Sequence, residues 1–245
     1  MTSLLFCTGY VRDAQHWHAR YRRWLDFYAD GPIDYAKRVV IDDGSPYVPP
    51  PAEIDVVADA ASAGRSPRRD VLLHLTPHLG RPSGVAYPGW WRSFFQSLDL
   101  ARAMGAEKIV HIESDAYILR PRLAEFLNGL RTGWHVLWIP TYGIPETAIQ
   151  VICADRFERF DAFRRDPRNQ INERIAEDIL PFTDIHTEFI GDRYSEFKRN
   201  RGIFRSRKFD RIPLFQSDFF WAPIPPEADF ATQVVPRQTV AFCRR

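Results

Sequence analysis

The sequence predicts an α/β fold in which a mostly parallel central sheet is flanked by helices. In the first half of the chain, short apolar segments alternate with segments whose apolar residues recur at helical spacing. Such alternation favours a parallel sheet with helices on both faces. The length of 245 residues suits one α/β domain with a sizeable core, although two small domains are possible. We therefore expect a single domain over residues 1–245.

The first predicted elements follow one another in regular order. Strands are predicted at five apolar runs, 3–8, 35–41, 71–75, 108–119 and 134–140. Helices are predicted at three amphipathic segments, 14–28, 90–104 and 122–130. Asp13 can cap the first of these helices, and Asp30-Gly31-Pro32 stops it. Gly105 ends the second helix. The alanine-rich segment 53–63 is ambiguous.

The second half of the chain is less regular, so the region beyond the sheet is harder to predict. A strand is expected at 148–153, and helices are expected at 156–164 and 169–180. The segment 193–211 is rich in Arg and Lys, and late strands are expected at 214–221 and 239–242.

The composition limits the partners and the compartment of the protein. A formal charge of +2 gives no global reason to expect nucleic acid as a partner. Cys7, Cys153 and Cys243 lie far apart without a CxxC pair, which indicates reduced thiols rather than a zinc site. The sequence shows no basic leader, and no segment approaches the ~20 apolar residues that span a bilayer. We expect a cytoplasmic protein that is attached at most peripherally to the inner face of the membrane.

Two of the predicted strands end in acidic residues. Asp42-Asp43-Gly44-Ser45 follows one strand, and Glu113 and Asp115 close another. Ligands of open α/β sheets bind beyond the carboxyl ends of the strands, where a carboxylate can accept hydrogen bonds from a ribose or a base. Two acids at i and i+2 project from the same side of an extended chain, and this suits a hard divalent cation. Ordinary turn or cap chemistry is the alternative at both places.

Together these motifs resemble those of the GT-A glycosyltransferases, especially the large inverting family 2. Asp42-Asp43-Gly44-Ser45 is similar to the DDGS element of that family. The segment 89–117 resembles the block that leads into the DxD motif, which here is the ExD variant Glu113-Ser114-Asp115. The segment 156–178 resembles the stretch that contains the late ED motif, here Glu177-Asp178. The resemblance implies a GT-A-like fold with a less regular C-terminal acceptor region.

The resemblance also implies a nucleotide-sugar donor and a bound Mn²⁺ or Mg²⁺. The predicted donor-binding residues are Asp42, Asp43, Ser45, Arg92 and Trp90, with Asp43 against the nucleoside. Arg92 is a loose counterpart of an arginine–asparagine pair that the family carries in its middle helix. The predicted metal ligands are Asp115, Glu113 directly or through water, and His186.

A carboxylate is also needed to deprotonate the acceptor hydroxyl. Asp178 is the first candidate and Glu177 the second, although an acidic pair on a helix is more often solvated surface. Asp218, an acid inside the aromatic run LFQSDFFW, is a competing candidate whose alternative is a paired acid at a strand end.

Two further features allow alternative interpretations. Trp90-Trp91 can form a stacking platform for a sugar or a base, or can pack as a helix-start staple, since only one ring can face inward. The basic segment 193–211 can close over a diphosphate as a lid, touch an anionic lipid-linked acceptor, or be a solvated loop.

The resemblance therefore implies a metal-dependent hexosyltransferase that moves a sugar from a UDP- or GDP-sugar to a hydroxyl of a glycan, a lipid-linked acceptor or a cell-surface polysaccharide. Residues 1–120 would bind the nucleotide-sugar, and residues 121–245 would bind the acceptor. A nucleotidyltransferase is the alternative enzyme, although Gly9-Tyr10-Val11-Arg12 is a poor phosphate loop. A non-catalytic GT-A-like binding module is the third possibility. The absence of GxGxxG after an early strand disfavours a dinucleotide-dependent oxidoreductase. The oligomeric state is not readable from the sequence.

Overall fold

The computed structural model of the chain describes residues 1–169, 171–195 and 222–243. The strands in these ranges are β1 (Ser3–Gly9), β2 (Lys37–Asp42), β3 (Asp55–Val57), β4 (Asp70–His74), β5 (Lys108–Ile112), β6 (Tyr117–Ile118), β7 (Trp134–Ile139), β8 (Ile144–Cys153), β9 (Asp184–His186), β10 (Gly191–Asp192) and β11 (Phe230–Ala231).

The central sheet has eight strands in the order β3-β4-β2-β1-β5-β8-β7-β9. Strand β8 pairs antiparallel with β5 and β7, whereas the other neighbouring pairs are parallel. The expected mostly parallel sheet is therefore confirmed. Strands β10, β11 and β6 form a second, three-stranded sheet.

The helices cover both faces of the central sheet. They are α1 (Ala14–His16), α2 (Arg23–Ala29), α3 (Ala60–Arg65), α4 (Pro88–Met104), α5 (Pro121–Gly129), α6 (Phe157–Arg165) and α7 (Ala176–Ile179). A π-helical stretch, Trp17–Arg22, joins α1 to α2, so that these three parts form one continuous helical segment. None of the helices in the described ranges has the length and apolar character needed to cross a bilayer.

The core consists of apolar side chains from alternate positions of the strands. On one face of the sheet, Leu5 and Cys7 belong to a cluster that includes Trp17 and Trp24 from the first helical segment. On the other face, Phe6 packs in a cluster that contains residues of α4 and α6. Because side chains alternate along a strand, β1 supplies both layers, which explains why it is apolar at nearly every position.

The predicted elements of the first half are confirmed in type and order, except that the expected strand over 108–119 is divided into β5 and β6, which belong to different sheets. The ambiguous segment 53–63 is resolved. Part of it forms β3, and α3 begins just before its end, where Asp59 accepts a hydrogen bond from the backbone N–H of Ser62 at 2.8 Å. Such an N-cap satisfies a helix donor that has no partner in the helix itself.

Two predictions for the second half are wrong. The expected helix over 169–180 is reduced to the four residues of α7, because Asn172 adopts a left-handed backbone (φ +88°) that interrupts a right-handed helix. The expected strand at 239–242 is not formed, although the backbone N–H of Cys243 donates to the carbonyl oxygen of Leu119 at 2.8 Å. The expected strand at 214–221 lies outside the described residues.

Candidate active site

A cavity of about 770 Å³ lies at the carboxyl edge of the central sheet. Its walls come from the ends of β1 and β2, the turn after β5, the start of β8, the first turn of α4 and the helix α7. This is the edge at which open α/β sheets bind ligands. Among the described residues, five carboxylates line the cavity, those of Asp43, Glu113, Asp115, Glu146 and Glu177.

Asp43 is buried at the edge of the cavity and is held by several donors. Its carboxylate accepts hydrogen bonds from the backbone N–H of Gly80 at 2.8 Å and from the guanidinium of Arg92. The Nδ1 atom of His78 lies 2.6 Å from the carbonyl oxygen of Asp43 and 3.0 Å from its carboxylate. Asp43 is therefore fixed in one orientation, and Arg92 acts on the cavity through Asp43.

Gly89 provides the space that this carboxylate occupies. A Cβ atom at Gly89 would lie only 2.0 Å from Oδ2 of Asp43, which is far inside van der Waals contact. The first turn of α4 can approach Asp43 only because residue 89 has no side chain.

Asp42 and Ser45 form a buried structural turn. The carboxylate of Asp42 accepts hydrogen bonds from the backbone N–H of Ser45 at 3.0 Å and from its hydroxyl, and it lies 2.6 Å from Nδ1 of His74. The hydroxyl of Ser45 accepts from the backbone N–H of Val11. Neither Asp42 nor Ser45 lines the cavity. Contact of these two residues with a nucleotide-sugar therefore stays a prediction, and their hydrogen bonds favour a structural role.

The two adjacent tryptophans separate as expected for neighbouring positions of a helix. Trp91 is buried in the core, whereas Trp90 is half-buried and lines the cavity. The Trp90 ring stacks on Phe94 with a centroid distance of 4.8 Å. Its Nε1 atom donates to Glu113 at 2.7 Å, which fixes the plane of the indole. Trp90 is thus a rigid aromatic wall.

Glu113 is directed toward three donors. Both carboxylate oxygens lie within 2.9 Å of the Thr8 hydroxyl, and Oε1 also accepts from Trp90 and lies 3.1 Å from Nε2 of His111. Burial by itself raises the pKa of this carboxyl, but the interactions with His111, Thr8 and Trp90 outweigh burial and lower the pKa. Glu113 is therefore an ionised acceptor whose lone pairs are largely used within the protein.

The hydrogen-bond network behind Glu113 defines the role of His111. The indole of Trp134 can only donate, and it donates to Oε1 of Gln150 at 3.0 Å. The Nε2 atom of Gln150 then faces Nδ1 of His111 at 3.3 Å. This order assigns the His111 proton to Nε2, from which it is donated to Glu113. His111 is thus a buried histidine that orients Glu113.

Glu113 and Asp115 both line the cavity, but they lie in a turn rather than an extended strand. Strand β5 ends at Ile112, and the backbone N–H of Ala116 donates to the carbonyl oxygen of Glu113 at 2.8 Å, as in a β-turn. The prediction that these acids project from one side of an extended chain is therefore wrong. The carboxylate of Asp115 lies 3.0 Å from Nη2 of Arg20.

Arg20 comes from the π-helical stretch and also donates from Nε to the hydroxyl of Ser114 at 2.6 Å. Burial lowers the pKa of Arg20, but Asp115 more than offsets this, so that the pKa is raised and the guanidinium is always charged. Burial raises the pKa of Asp115, and the charge of Glu113 adds to this against the opposing effect of Arg20.

Glu146 and Glu177 share one arginine on another wall of the cavity. Arg193 donates to both oxygens of Glu146, at 2.8 and 3.0 Å, and to Glu177 at 3.3 Å. Glu146 is fully buried and also accepts from Thr232 at 2.7 Å. Glu177 accepts from Thr147 at 3.1 Å and remains partly exposed. Glu177 can therefore meet a ligand, whereas Glu146 holds Arg193.

The other predicted acids do not line the cavity in the described part of the chain. Asp178 is exposed on the outer side of α7, so the structure places Glu177, and not the first candidate Asp178, where a base could act. Asp218 lies outside the described residues, as does most of the basic segment 193–211. Of that segment, Arg193 is an internal ion-pair partner rather than a solvated residue.

His186 lies at the opposite edge strand of the sheet, on β9. Its Nε2 atom is 3.0 Å from Nδ1 of His135, and its Nδ1 atom is 3.0 Å from Glu188. It does not line the cavity. His186 therefore does not join Glu113 and Asp115 in the structure.

The residues predicted to hold a metal ion do not fit a divalent cation as they are arranged. The Oε1 atom of Glu113 is occupied by three donors, Asp115 is paired with Arg20, and His186 is elsewhere. In residues 1–169, 171–195 and 222–243, no group of three His, Cys, Asp or Glu side chains is positioned to hold a metal ion. Mn²⁺ or Mg²⁺ binding stays a prediction that this donor set does not favour.

Sequence reasoning missed three residues at the cavity. Glu146 had a usable signal, because it is an acid directly before the apolar run of β8. Thr8 had a weaker one, since it lies at the end of the first strand. No sequence signal indicated Arg20. It lies on the π-helical stretch, and helical spacing alone does not reveal that stretch.

No protein-family model and no curated protein matches the chain. Among solved structures, it is similar to a glycosyltransferase involved in the glycosylation of the major capsid of PBCV-1, with 8% identity, a TM-score of 0.44, and coverage of 95% of this chain and 93% of that one. It is also similar to mouse xyloside xylosyltransferase 1 in its apo form, with 10% identity, a TM-score of 0.43, and coverage of 94% and 96%. At such identities and scores, the likeness concerns the arrangement of strands and helices alone.

Proposed function

We propose that this protein is a glycosyltransferase that moves a sugar from a nucleotide-sugar donor to an acceptor hydroxyl. One observation carries the proposal. A single cavity at the carboxyl edge of the sheet brings together Asp43, Trp90, Arg20 and Glu177, which are far apart in the sequence. A fixed carboxylate, a rigid aromatic wall, a cation and a second acid are the groups that a nucleotide-sugar and its acceptor require.

Each of these groups has a role in the proposed complex. Asp43 accepts hydrogen bonds from the nucleoside, and its orientation by Arg92 and Gly80 supports this role. Trp90 offers its indole to the sugar or the base. The donor is proposed to be a UDP- or GDP-hexose, and the acceptor a glycan, a lipid-linked acceptor or a cell-surface polysaccharide, as the resemblance to the GT-A glycosyltransferases implies.

The proposed reaction is a displacement at C1 of the donor sugar. The acceptor hydroxyl oxygen attacks C1 while the carboxylate of Glu177 takes the hydroxyl proton. The bond between C1 and the diphosphate oxygen breaks, and its electron pair leaves with the nucleoside diphosphate. Attack from the side opposite the leaving group inverts the configuration at C1.

The nucleotidyltransferase alternative is disfavoured by the turn after β1. A phosphate loop needs free backbone N–H groups that converge on the phosphates. Here the N–H of Tyr10 donates to the hydroxyl of Tyr21 at 2.8 Å, that of Val11 donates to Ser45, and that of Arg12 donates to His16 at 3.3 Å. These three donors are already used within the protein.

The test compares two adjacent acids in one transfer assay. Wild-type protein is incubated with a panel of UDP- and GDP-sugars and saccharide acceptors, and release of nucleoside diphosphate is measured. We expect Glu177→Gln to lower turnover by about 10²-fold or more while donor binding is retained, because a positioned base contributes that much. Asp178→Asn is the matched control, since it changes a neighbouring acid outside the cavity.

The outcomes separate the base assignment from the function. If Asp178→Asn abolishes turnover and Glu177→Gln does not, the base assignment is wrong. If wild-type protein neither binds nor turns over any donor of the panel, the glycosyltransferase proposal fails and the non-catalytic module becomes the better account.

A further inference from the structure

We propose that Arg20, rather than a divalent cation held by Glu113 and Asp115, binds the donor diphosphate, so that donor binding is independent of metal. This inference rests on the proposed function and goes beyond it, because it assigns a charge partner to the leaving group. It also departs from the metal site that the ExD motif predicts.

One oxygen of Glu113, Oε1, already accepts from three donors. Thr8, Trp90 and His111 each direct a donor at its carboxylate, at distances of 2.7 to 3.1 Å. A cation on Oε1 would displace donors that are then left partly buried without partners, which is costly. Glu113 therefore acts as the anchor of Trp90.

The negative charge of Asp115 is balanced by Arg20. The side chain of Asp115 is 11% exposed, and Nη2 of Arg20 lies 3.0 Å from Oδ2. A divalent cation at Asp115 would have to displace this guanidinium or lie close to it, and the two positive charges would repel each other. The ion pair takes the place at which the motif would hold a metal.

Arg20 keeps N–H donors that can bind a ligand. A guanidinium has five N–H donors in a planar fork. Within the described residues, the hydrogen-bond contacts of Arg20 are those of Nε with Ser114 and Nη2 with Asp115. Its side chain is 39% exposed and lines the cavity, so Nη1 is open to a ligand. Such a fork suits two oxygens of a diphosphate.

The π-helical stretch explains why Arg20 reaches this position. Trp17 and Tyr21 on the same stretch are buried against the sheet, and Arg20 lies beside them with Nε on Ser114. Such single-turn π-helical segments often occur at functional sites. Two contacts then hold the guanidinium before any ligand arrives, and preorganised charge of this kind stabilises a leaving group at little reorganisation cost.

Opposite effects of two substitutions distinguish the arginine account from a metal site. If Arg20 binds the diphosphate, Arg20→Gln weakens binding by about tenfold or more, because a charge-assisted hydrogen bond is lost. Asp115→Asn keeps binding, because the amide oxygen still accepts from Arg20 and no metal ligand is lost. If Asp115 instead holds a metal ion, Asp115→Asn weakens binding because it removes a metal ligand. Arg20→Gln then keeps or strengthens binding because it frees the Asp115 carboxylate for the metal ion.

The experiment is a calorimetric titration of the full chain with UDP and with GDP, first in EDTA and then with Mn²⁺. Wild type, Arg20→Gln and Asp115→Asn are compared, and thermal melting without nucleotide confirms that each is folded. Arg102→Gln is the matched control. Its side chain is 37% exposed and pairs at 3.2 Å with Asp161, which is 8% exposed, so it loses a similar ion pair outside the cavity.

Three results are distinguishable. The inference is supported if nucleotide binds in EDTA, if Arg20→Gln weakens this binding, and if Asp115→Asn and Arg102→Gln leave it unchanged. Binding that requires Mn²⁺ and is lost in Asp115→Asn overturns the inference and leaves the proposed function standing. Absence of UDP and GDP binding in both conditions overturns the proposed function, and the inference with it.

Discussion

Glu113 illustrates how one side chain can look like a metal ligand in sequence and act as a hydrogen-bond hub in three dimensions. Its oxygens join Thr8 on β1, Trp90 on α4 and His111 on β5. Strand β1, helix α4 and the turn after β5 each contribute to the cavity wall. The residue types were visible in the sequence, but their convergence depends on the parallel pairing of β1 with β5, which places Phe6 opposite His111.

The Glu113→Gln variant tests this role without any ligand. An amide keeps one acceptor oxygen but removes the charge that strengthens these hydrogen bonds, so we expect a loss of about 1–3 kcal/mol in the free energy of unfolding, measured with urea. Glu125→Gln, a change of an exposed acid on α5, is the control and should alter stability by no more than about 0.5 kcal/mol. If Glu113 were a free metal ligand, the two variants would be equally stable.

The same comparison has a defined pH dependence. Because the pKa of Glu113 is lowered on folding, its contribution is fully present above its ordinary value of 4.5. The contribution is lost as the pH falls through the lower pKa of the folded state. The stability difference between wild type and Glu113→Gln should therefore shrink below pH 4.5, and a difference that grows in acid would contradict the assignment.

At the scale of elements, the start of α4 is the contact on which the cavity depends most. The helix begins at Pro88, and Gly89 lies directly against Asp43. This close approach was only partly predictable. The apolar periodicity indicated a helix from residue 90, but not that the helix begins at Pro88 or that Gly89 makes room for the Asp43 carboxylate. The π-helical stretch was not predictable at all, because buried Trp17, Tyr21 and Trp24 fit an ordinary helix.

Gly89→Ala should therefore disturb two elements at once. The new methyl group would meet Oδ2 of Asp43, so we expect a loss of about 1–3 kcal/mol in unfolding free energy and weaker binding of UDP or GDP. The matched control is Gly129→Ala at the end of α5, where a Cβ atom would have no neighbour within 4 Å. Equal stability and nucleotide affinity of the two variants would show that the contact between α4 and Asp43 is unimportant.

At the scale of the whole molecule, the sequence predicts the layers better than the site. Strands β1, β2, β4, β5 and β7 and helix α4 follow from apolar periodicity, which packing against both faces of the sheet preserves. The acidic strand ends correctly indicated the edge of the sheet that carries the cavity. The ion pairs of the cavity acids were not predictable from the sequence. Arg20 reaches Asp115, and Arg193 reaches Glu146, from distant parts of the chain.

The most direct test of the central claim is a crystal structure of the full chain soaked with UDP and Mn²⁺. We expect UDP in the cavity, with its nucleoside hydrogen-bonded to Asp43 and its diphosphate against the guanidinium of Arg20. A diphosphate bridged to Glu113 and Asp115 by Mn²⁺ would contradict the role given to Arg20. UDP bound outside the cavity, without contact to Asp43, Trp90 or Arg20, would contradict the claim that this cavity is the donor site.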